Sequence, residues 1–225
     1  MYISTDMAGR KIIARYEKNT KGRDFVCGDI HGCYTDLEQA LKRLRFDTAR
    51  DRMFCVGDLF DRGPESHGAL AYLDTDWFFP VQGNHEDMFL KWYIVHDLER
   101  SYSYRNGSGW QLKEDKEYLA QLARAVVALP LIIVVGENLI VHACLPDVSS
   151  LEEIEQDPDK YIQTILWYRG RYPDKIGIPG IRRVYCGHSI TSKVRDRNGF
   201  INIDTGAFLH YMDEEGELTV VELGD

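Results

Sequence analysis

Short apolar runs alternate with stretches of helical period through the first half of this chain. Asp24 to Cys27 reads as a buried strand, and Asp36 to Phe46 brings Leu37, Leu41 and Leu44 onto one helical face. The pattern repeats as a strand over Arg52 to Val56, a helix over Glu65 to Leu73, a strand over Phe78 to Val81 and a helix over Glu86 to His96. Arg100 to Trp110, with Gly107 and Gly109, reads as a loop, and Asp115 to Val127 as an amphipathic helix. Beyond it the chain turns strand-rich. Leu131 to Val135, Leu139 to Val141, Arg183 to Tyr185, Phe200 to Ile203 and Leu218 to Val221 are short β-branched or aromatic runs between Gly, Pro, Asn and Asp, and they suggest a second sheet. Lys160 to Trp167 is the one helix expected among them, with a loop over Pro173 to Gly180. These alternations give an α/β protein of two sheets between helices, in one domain over residues 1–225.

Composition narrows the class. A hydrophobic fraction of 44% and a charged fraction of 28% describe a water-soluble globular chain, and a formal charge of −9 repels nucleic acid on average. The first residues lack the basic and apolar segments of a signal peptide, and the longest apolar run, Leu131 to Val135, is far too short to span a bilayer. Five cysteines without a C-x-x-C pair argue for reduced thiols, so the expected compartment is the cytoplasm.

Five glycine-punctuated segments carry the chemistry: Gly28 to Gly32 (GDIHG), Gly57 to Gly63 (GDLFDRG), Gly83 to Glu86 (GNHE), Val141 to Pro146 (VHACLP) and Cys186 to Ser189 (CGHS). They hold four of the seven histidines; His67, His96 and His210 read as structural or exposed. Asp29 precedes Asp58 by 29 residues, and Asp58 precedes Asn84 by 26. That is the pitch of a right-handed βαβ unit, so the first three motifs follow successive parallel strands and converge at their carboxyl ends. Carboxylates mixed with imidazoles suit Mn²⁺, iron or Zn²⁺ better than Ca²⁺ or Mg²⁺.

With RYEK near the start, an Asn-Gly-x-Gly-Trp loop, a Leu-Pro-Leu-Ile-Ile strand, a Trp-x-Arg element and IDTGA near the end, these motifs resemble the phosphoprotein phosphatase family, closest to its bacteriophage lambda-type and bacterial serine/threonine members. The resemblance implies the calcineurin-like metallophosphoesterase fold and two divalent ions, Mn²⁺ first and Fe or Zn as alternatives. It assigns Asp29 and His31 to one ion, Asp58 to both, and Asn84, His142 and His188 to the second. Two such ions against two carboxylates and a bridging hydroxide leave a small positive charge that attracts phosphate. Arg62 and Arg169, with Asn84, are then the phosphate ligands, Arg169 chosen by its Trp-x-Arg context over nearby Arg171, Arg182 and Arg183. The implied reaction is in-line attack by the hydroxide on a phosphorylated protein, with His85 as general acid oriented by Asp61.

Two other functions fit parts of this pattern. A symmetrical dinucleoside polyphosphate hydrolase shares the metal motifs, but that branch typically has Ala at the position of Asp61 and GNHD in place of GNHE. A catalytically inactive module that only holds phosphorylated ligands has no need of Asp61, His85 and Arg62 together. Gln82 stands where Arg commonly precedes GNHE, Cys144 where Asp or Gly is frequent and Ser189 where Thr is usual, and none of these departures removes a ligand.

Overall fold

A computed structural model of the chain describes residues 12–95 and 106–224. Two sheets lie face to face with helices on their outer faces. The first has the order β10-β2-β3-β4, built from β2 (Asp24–Cys27), β3 (Arg52–Cys55), β4 (Phe78–Pro80) and β10 (Val220–Glu222). The second has the order β1-β5-β6-β7-β9-β8, built from β1 (Ile13–Tyr16), β5 (Ile132–Val135), β6 (Asn138–Val141), β7 (Arg183–Cys186), β8 (Arg195–Arg197) and β9 (Phe200–Asn202).

Alternation along the strands sorts their side chains into three apolar layers. In β2 and β3, Phe25, Cys27, Met53 and Cys55 face the helices while Val26 and Phe54 face the other sheet. In β6 and β7, Leu139, Val141, Val184 and Cys186 point outward while Ile140 and Tyr185 point between the sheets. Strands apolar on both faces read as continuous hydrophobic runs, which is why they were visible without a polar alternation. The first outer layer is covered by α1 (Tyr34–Leu44), α2 (Ala69–Leu73), α3 (Asn84–Val95) and α4 (Lys116–Val127), and the second by α5 (Glu152–Gln156) and α6 (Pro158–Trp167). Asp115 caps α4, its carboxylate accepting the Tyr118 N–H at 2.7 Å.

The expected β-then-α steps are present: β2 pairs parallel with β3, and β3 with β4. The second sheet matches them, since β6, β7 and β9 are also mutually parallel. Each sheet thus delivers three neighbouring carboxyl ends to one edge of the sandwich.

The structure departs from the expectations at five elements. Leu218 to Val221, read as part of the second sheet, forms β10 in the first, antiparallel to β2 with Val221 opposite Val26. Ile13–Tyr16 forms an unforeseen strand parallel to β5. Arg195–Arg197 forms the exposed edge strand β8, too polar to signal itself, and Glu152–Gln156 adds a short helix before Pro158–Trp167. The stretch read as one helix from Glu65 is a 3₁₀ turn at Ser66–Gly68 followed by α2. His96, the residues up to Arg105 and residues 1–11 of the N-terminal stretch read for a signal peptide lie outside the described residues. Among the described residues no helix is long and apolar enough to cross a membrane.

Candidate metal centre

The sandwich edge gathers the predicted residues. Asp29 and His31 follow β2, Asp58 follows β3, Asn84 and His85 open α3 after β4, His142 follows β6 and His188 follows β7. All seven are buried. Several sit where the chain turns sharply: His31, Asp58, Asp61, Arg62 and His188 all have positive φ, between 47° and 71°. Left-handed backbone disfavours side chains with a Cβ, and such outliers persist where the surroundings over-determine them. Gly187 has to be glycine for another reason, because a Cβ there would overlap Asp29 Oδ1.

Two groups of donor atoms, His31 with Asp58 and His85, and Asp58 with His142 and His188, each lie within 4.8 Å of one another. Asp58 belongs to both, as a bridging ligand must. Tautomers test whether these groups suit cations. His142 Nδ1 lies 2.8 Å from the Val56 carbonyl, which can only accept, so the proton is on Nδ1 and the Nε2 lone pair points inward. That lone pair meets Asn84 Oδ1 at 2.8 Å, His188 Nδ1 at 3.2 Å and Asp58 Oδ1 at 3.5 Å. Electron pairs converging on one point suit a cation. His31 repeats the device, with Nδ1 3.1 Å from the Phe60 carbonyl and Nε2 facing Asp58 Oδ2 at 3.4 Å. Its Nε2 also accepts from Arg62 Nη1 at 3.0 Å, so the guanidinium occupies the ligand face of His31.

Protonation states agree with ligation. Burial depresses the pKa of His31, His142 and His188, the last to about 3, and keeps these imidazoles neutral. His85 moves the opposite way: burial opposes its charge, but the Asp58 field and the hydrogen bond to Asp61 outweigh it and raise its affinity for a proton. Its Nδ1 lies 2.6 Å from Asp61 Oδ2. Asp29 stands behind the two groups, accepting the His188 backbone N–H at 3.1 Å, and its pKa is raised by burial and then by Asp204 and Asp58.

Arg62 lies over the Phe208 ring, with 4.8 Å to the centroid. Among the arginines, Arg169 makes itself felt at His142, His188 and Asp204, lowering the proton affinity of each. Arg171 is paired with Asp174 at 2.7 Å and Arg182 with Glu137 at 3.1 Å. His67 and His210 are exposed, as expected. The five cysteines are free and buried, and burial pushes Cys33 and Cys144 up to about 12, so neither offers a thiolate near neutral pH.

The chain has known relatives. A family model described as calcineurin-like phosphoesterase matches residues 25–192, most of the chain, and takes in all five glycine-punctuated segments from Gly28 to Ser189. The chain belongs to the calcineurin-like phosphoesterase family. Members of this family work with a pair of divalent metal ions, which is what the two donor groups sharing Asp58 accommodate. Over 96% of its length the phosphoesterase is 33% identical to serine/threonine-protein phosphatase 1 of Salmonella typhimurium, covering 99% of that protein. A symmetrical bis(5'-nucleosyl)-tetraphosphatase of Pseudomonas fluorescens is 40% identical over 80 residues, which span 34% of this chain and 28% of that one. The solved protein serine/threonine phosphatase from Saccharomyces cerevisiae shares the fold with a TM-score of 0.68 at 20% identity, covering 95% of this chain and 76% of that one.

Three residues of the site escaped the motif reading. Asp204, inside IDTGA after β9, is a buried carboxyl that burial and the field of Asp58 raise to about 6. Glu86, the last residue of GNHE, is fully buried and accepts the backbone N–H groups of Asp58 at 2.9 Å, Leu59 at 2.8 Å and Gly83 at 2.7 Å. It clamps the turn that carries Asp58 to the turn that carries Asn84. Trp110, in the Asn-Gly-x-Gly-Trp loop, donates Nε1–H to Asp61 Oδ1 at 2.7 Å. All three lie within the motif segments, but nothing local distinguishes a buried acid or an indole N–H that supports a site from one that serves a turn or a core. Gln82, at the position where Arg is common, is buried with no hydrogen-bond partner for either side-chain polar atom.

Proposed function

We propose that this phosphoesterase is a metal-dependent protein serine/threonine phosphatase acting on phosphorylated proteins or peptides. Asp29, His31, Asp58, Asn84, His142 and His188 hold two cations, Mn²⁺ first among them, and when bound the pair screens phosphoryl charge and activates water for in-line attack. Arg62 and Arg169, with Asn84, bind the non-bridging phosphate oxygens, as planar guanidinium forks do. His85 gives its Nε2 proton to the departing serine or threonine oxygen as the P–O bond breaks, because an alkoxide is a poor leaving group without one. Asp61 fixes the ring and supports its positive charge. The chain acts as one metallophosphatase domain over residues 1–225, and the cytoplasm is the proposed compartment, in keeping with five free buried cysteines.

The observation that carries this reading is the His85–Asp61 pair. With Nδ1 engaged at 2.6 Å, His85 Nε2 is left buried without a hydrogen-bond partner, 3.8 Å from Asp58 Oδ2 and so directed at the donor groups. A symmetrical dinucleoside polyphosphate hydrolase is the second reading, favoured by the tetraphosphatase similarity over 34% of the chain. Asp61, and a full-length relative named as a protein phosphatase, support the first. The test compares phosphoserine and phosphothreonine peptides with diadenosine tetraphosphate on Mn²⁺-loaded protein. Peptide turnover, lost on Asp58→Asn or His142→Asn, is expected; preferential cleavage of the dinucleotide would overturn the assignment, and turnover of neither would leave a binding module.

A further inference from the structure

The Asn-Gly-x-Gly-Trp segment, Asn106 to Trp110, lies against the groups that carry the proposed chemistry. Its two ends touch two different working groups. Asp61 has two carboxylate oxygens: Oδ2 faces His85 Nδ1 at 2.6 Å, and Oδ1 accepts the Trp110 indole N–H at 2.7 Å. A carboxylate held by the imidazole alone can turn about its own axis, whereas a second donor on the other oxygen fixes its plane and with it the heading of the His85 ring. The backbone N–H of Asp61 adds a bond to Ser66 Oγ at 2.9 Å. Trp110 is itself held, with ring centroids 5.5 Å from Phe60, 6.4 Å from Phe89 in a stacked geometry and 6.5 Å from Tyr118.

At the other end, the Gly107 carbonyl accepts the Arg62 backbone N–H at 3.2 Å. Gly107 has φ +79°, and a Cβ there would come within 2.6 Å of Arg62 N and 2.7 Å of its Cα. Arg62 has φ 70° and Asp61 φ 71°, two consecutive residues in a conformation that side chains resist, and the segment presses against this pair.

We propose that this segment is a positioning brace for the reaction: Trp110 sets the aim of the general acid through Asp61, and Gly107 sets the Arg62 phosphate clamp through its backbone. The proposal rests on the reading of His85 as general acid. Donation by His85 matters for an ester whose leaving oxygen needs a proton and little for one whose leaving group is stable as an anion. A brace acting through His85 therefore has a signature that loss of folding lacks, namely a dependence on the leaving group.

The experiment uses the Mn²⁺-loaded full chain with phenyl phosphate and 2,4-dinitrophenyl phosphate, and takes the ratio of kcat/KM for the two esters. His85→Asn, which removes the acid, should widen the ratio in favour of the dinitrophenyl ester by roughly 10²–10⁴-fold. Trp110→Phe, which keeps an aromatic ring and loses the N–H, should widen it about tenfold, since misdirection forfeits part of that factor. Benzothienylalanine at position 110, in which sulfur replaces the N–H, serves if Phe does not fold. Gly107→Ala should leave the ratio near that of the parent while weakening inhibition by inorganic phosphate about tenfold, because one guanidinium fork is displaced. If His85→Asn lowers both esters alike, the general-acid reading fails. If His85→Asn widens the ratio and neither Trp110 variant does, or if Gly107→Ala binds phosphate as the parent does, the brace is overturned while that reading stands.

Discussion

Asp204 offers a quantitative test of how the sandwich edge handles charge. Its carboxyl is buried, its Oδ1 accepts the Gly206 N–H at 3.0 Å, and burial together with the Asp58 field raises it from 3.8 to about 6. A raised carboxyl is one the fold prefers protonated. Its stabilising contribution is therefore complete below pH 3.8 and is lost as pH rises through about 6. Asp204→Asn keeps an oxygen for the Gly206 N–H and cannot ionise, so the variant retains what the parent loses. The span between the two values is worth about 3 kcal/mol, at roughly 1.4 kcal/mol for each tenfold change in proton affinity. Urea unfolding of chelator-treated protein should show parent and variant equally stable near pH 4. The variant should then gain through pH 5 to 6 and be more stable by about 3 kcal/mol at pH 7.5, with the same dependence on urea. Cations favour the ionised carboxylate, so Mn²⁺ should shrink that gain. A gain that is the same at both pH values, or a variant less stable than the parent at pH 7.5, would refute the reasoning.

Two other perturbations probe the same edge. Glu86→Leu leaves the N–H groups of Asp58, Leu59 and Gly83 without an acceptor. Each such loss costs about 1–3 kcal/mol, and relief of the buried carboxylate offsets part of it. The net cost is about 3–5 kcal/mol, a fall in melting temperature of roughly 10 °C by circular dichroism, and a change under about 2 °C would show that Glu86 is no clamp. Chelation should abolish phosphopeptide hydrolysis and lower the melting temperature, and Mn²⁺ at a hundred times its dissociation constant should return about 2.7 kcal/mol. A melting temperature indifferent to Mn²⁺ would mean that the converging lone pairs of His31 and His142 bind no ion.

Local sequence determined much of this protein. The runs over β2, β3 and β4 and the helical period of α1 and α4 are properties of a dozen residues at a time, set by side-chain size and polarity. The spacing of Asp29, Asp58 and Asn84 places each just beyond a strand, and right-handed crossovers then bring them to one edge. What needed the tertiary structure were choices among partners. A run such as Val220–Glu222 is apolar enough to pair with several strands, and only closure of the sandwich sets it against β2 in the first sheet. Ile13–Tyr16 finds its register with Ile132–Val135 across more than a hundred residues, so no local pattern names its neighbour. The same holds within the site: Arg171 and Arg182 are taken by Asp174 and Glu137, and Trp110 reaches Asp61 across 49 residues. Hydrophobic period and turn chemistry act over a few residues and are written along the chain. Hydrogen bonds and electric fields act through space between elements, so their partners exist only once the two sheets have closed.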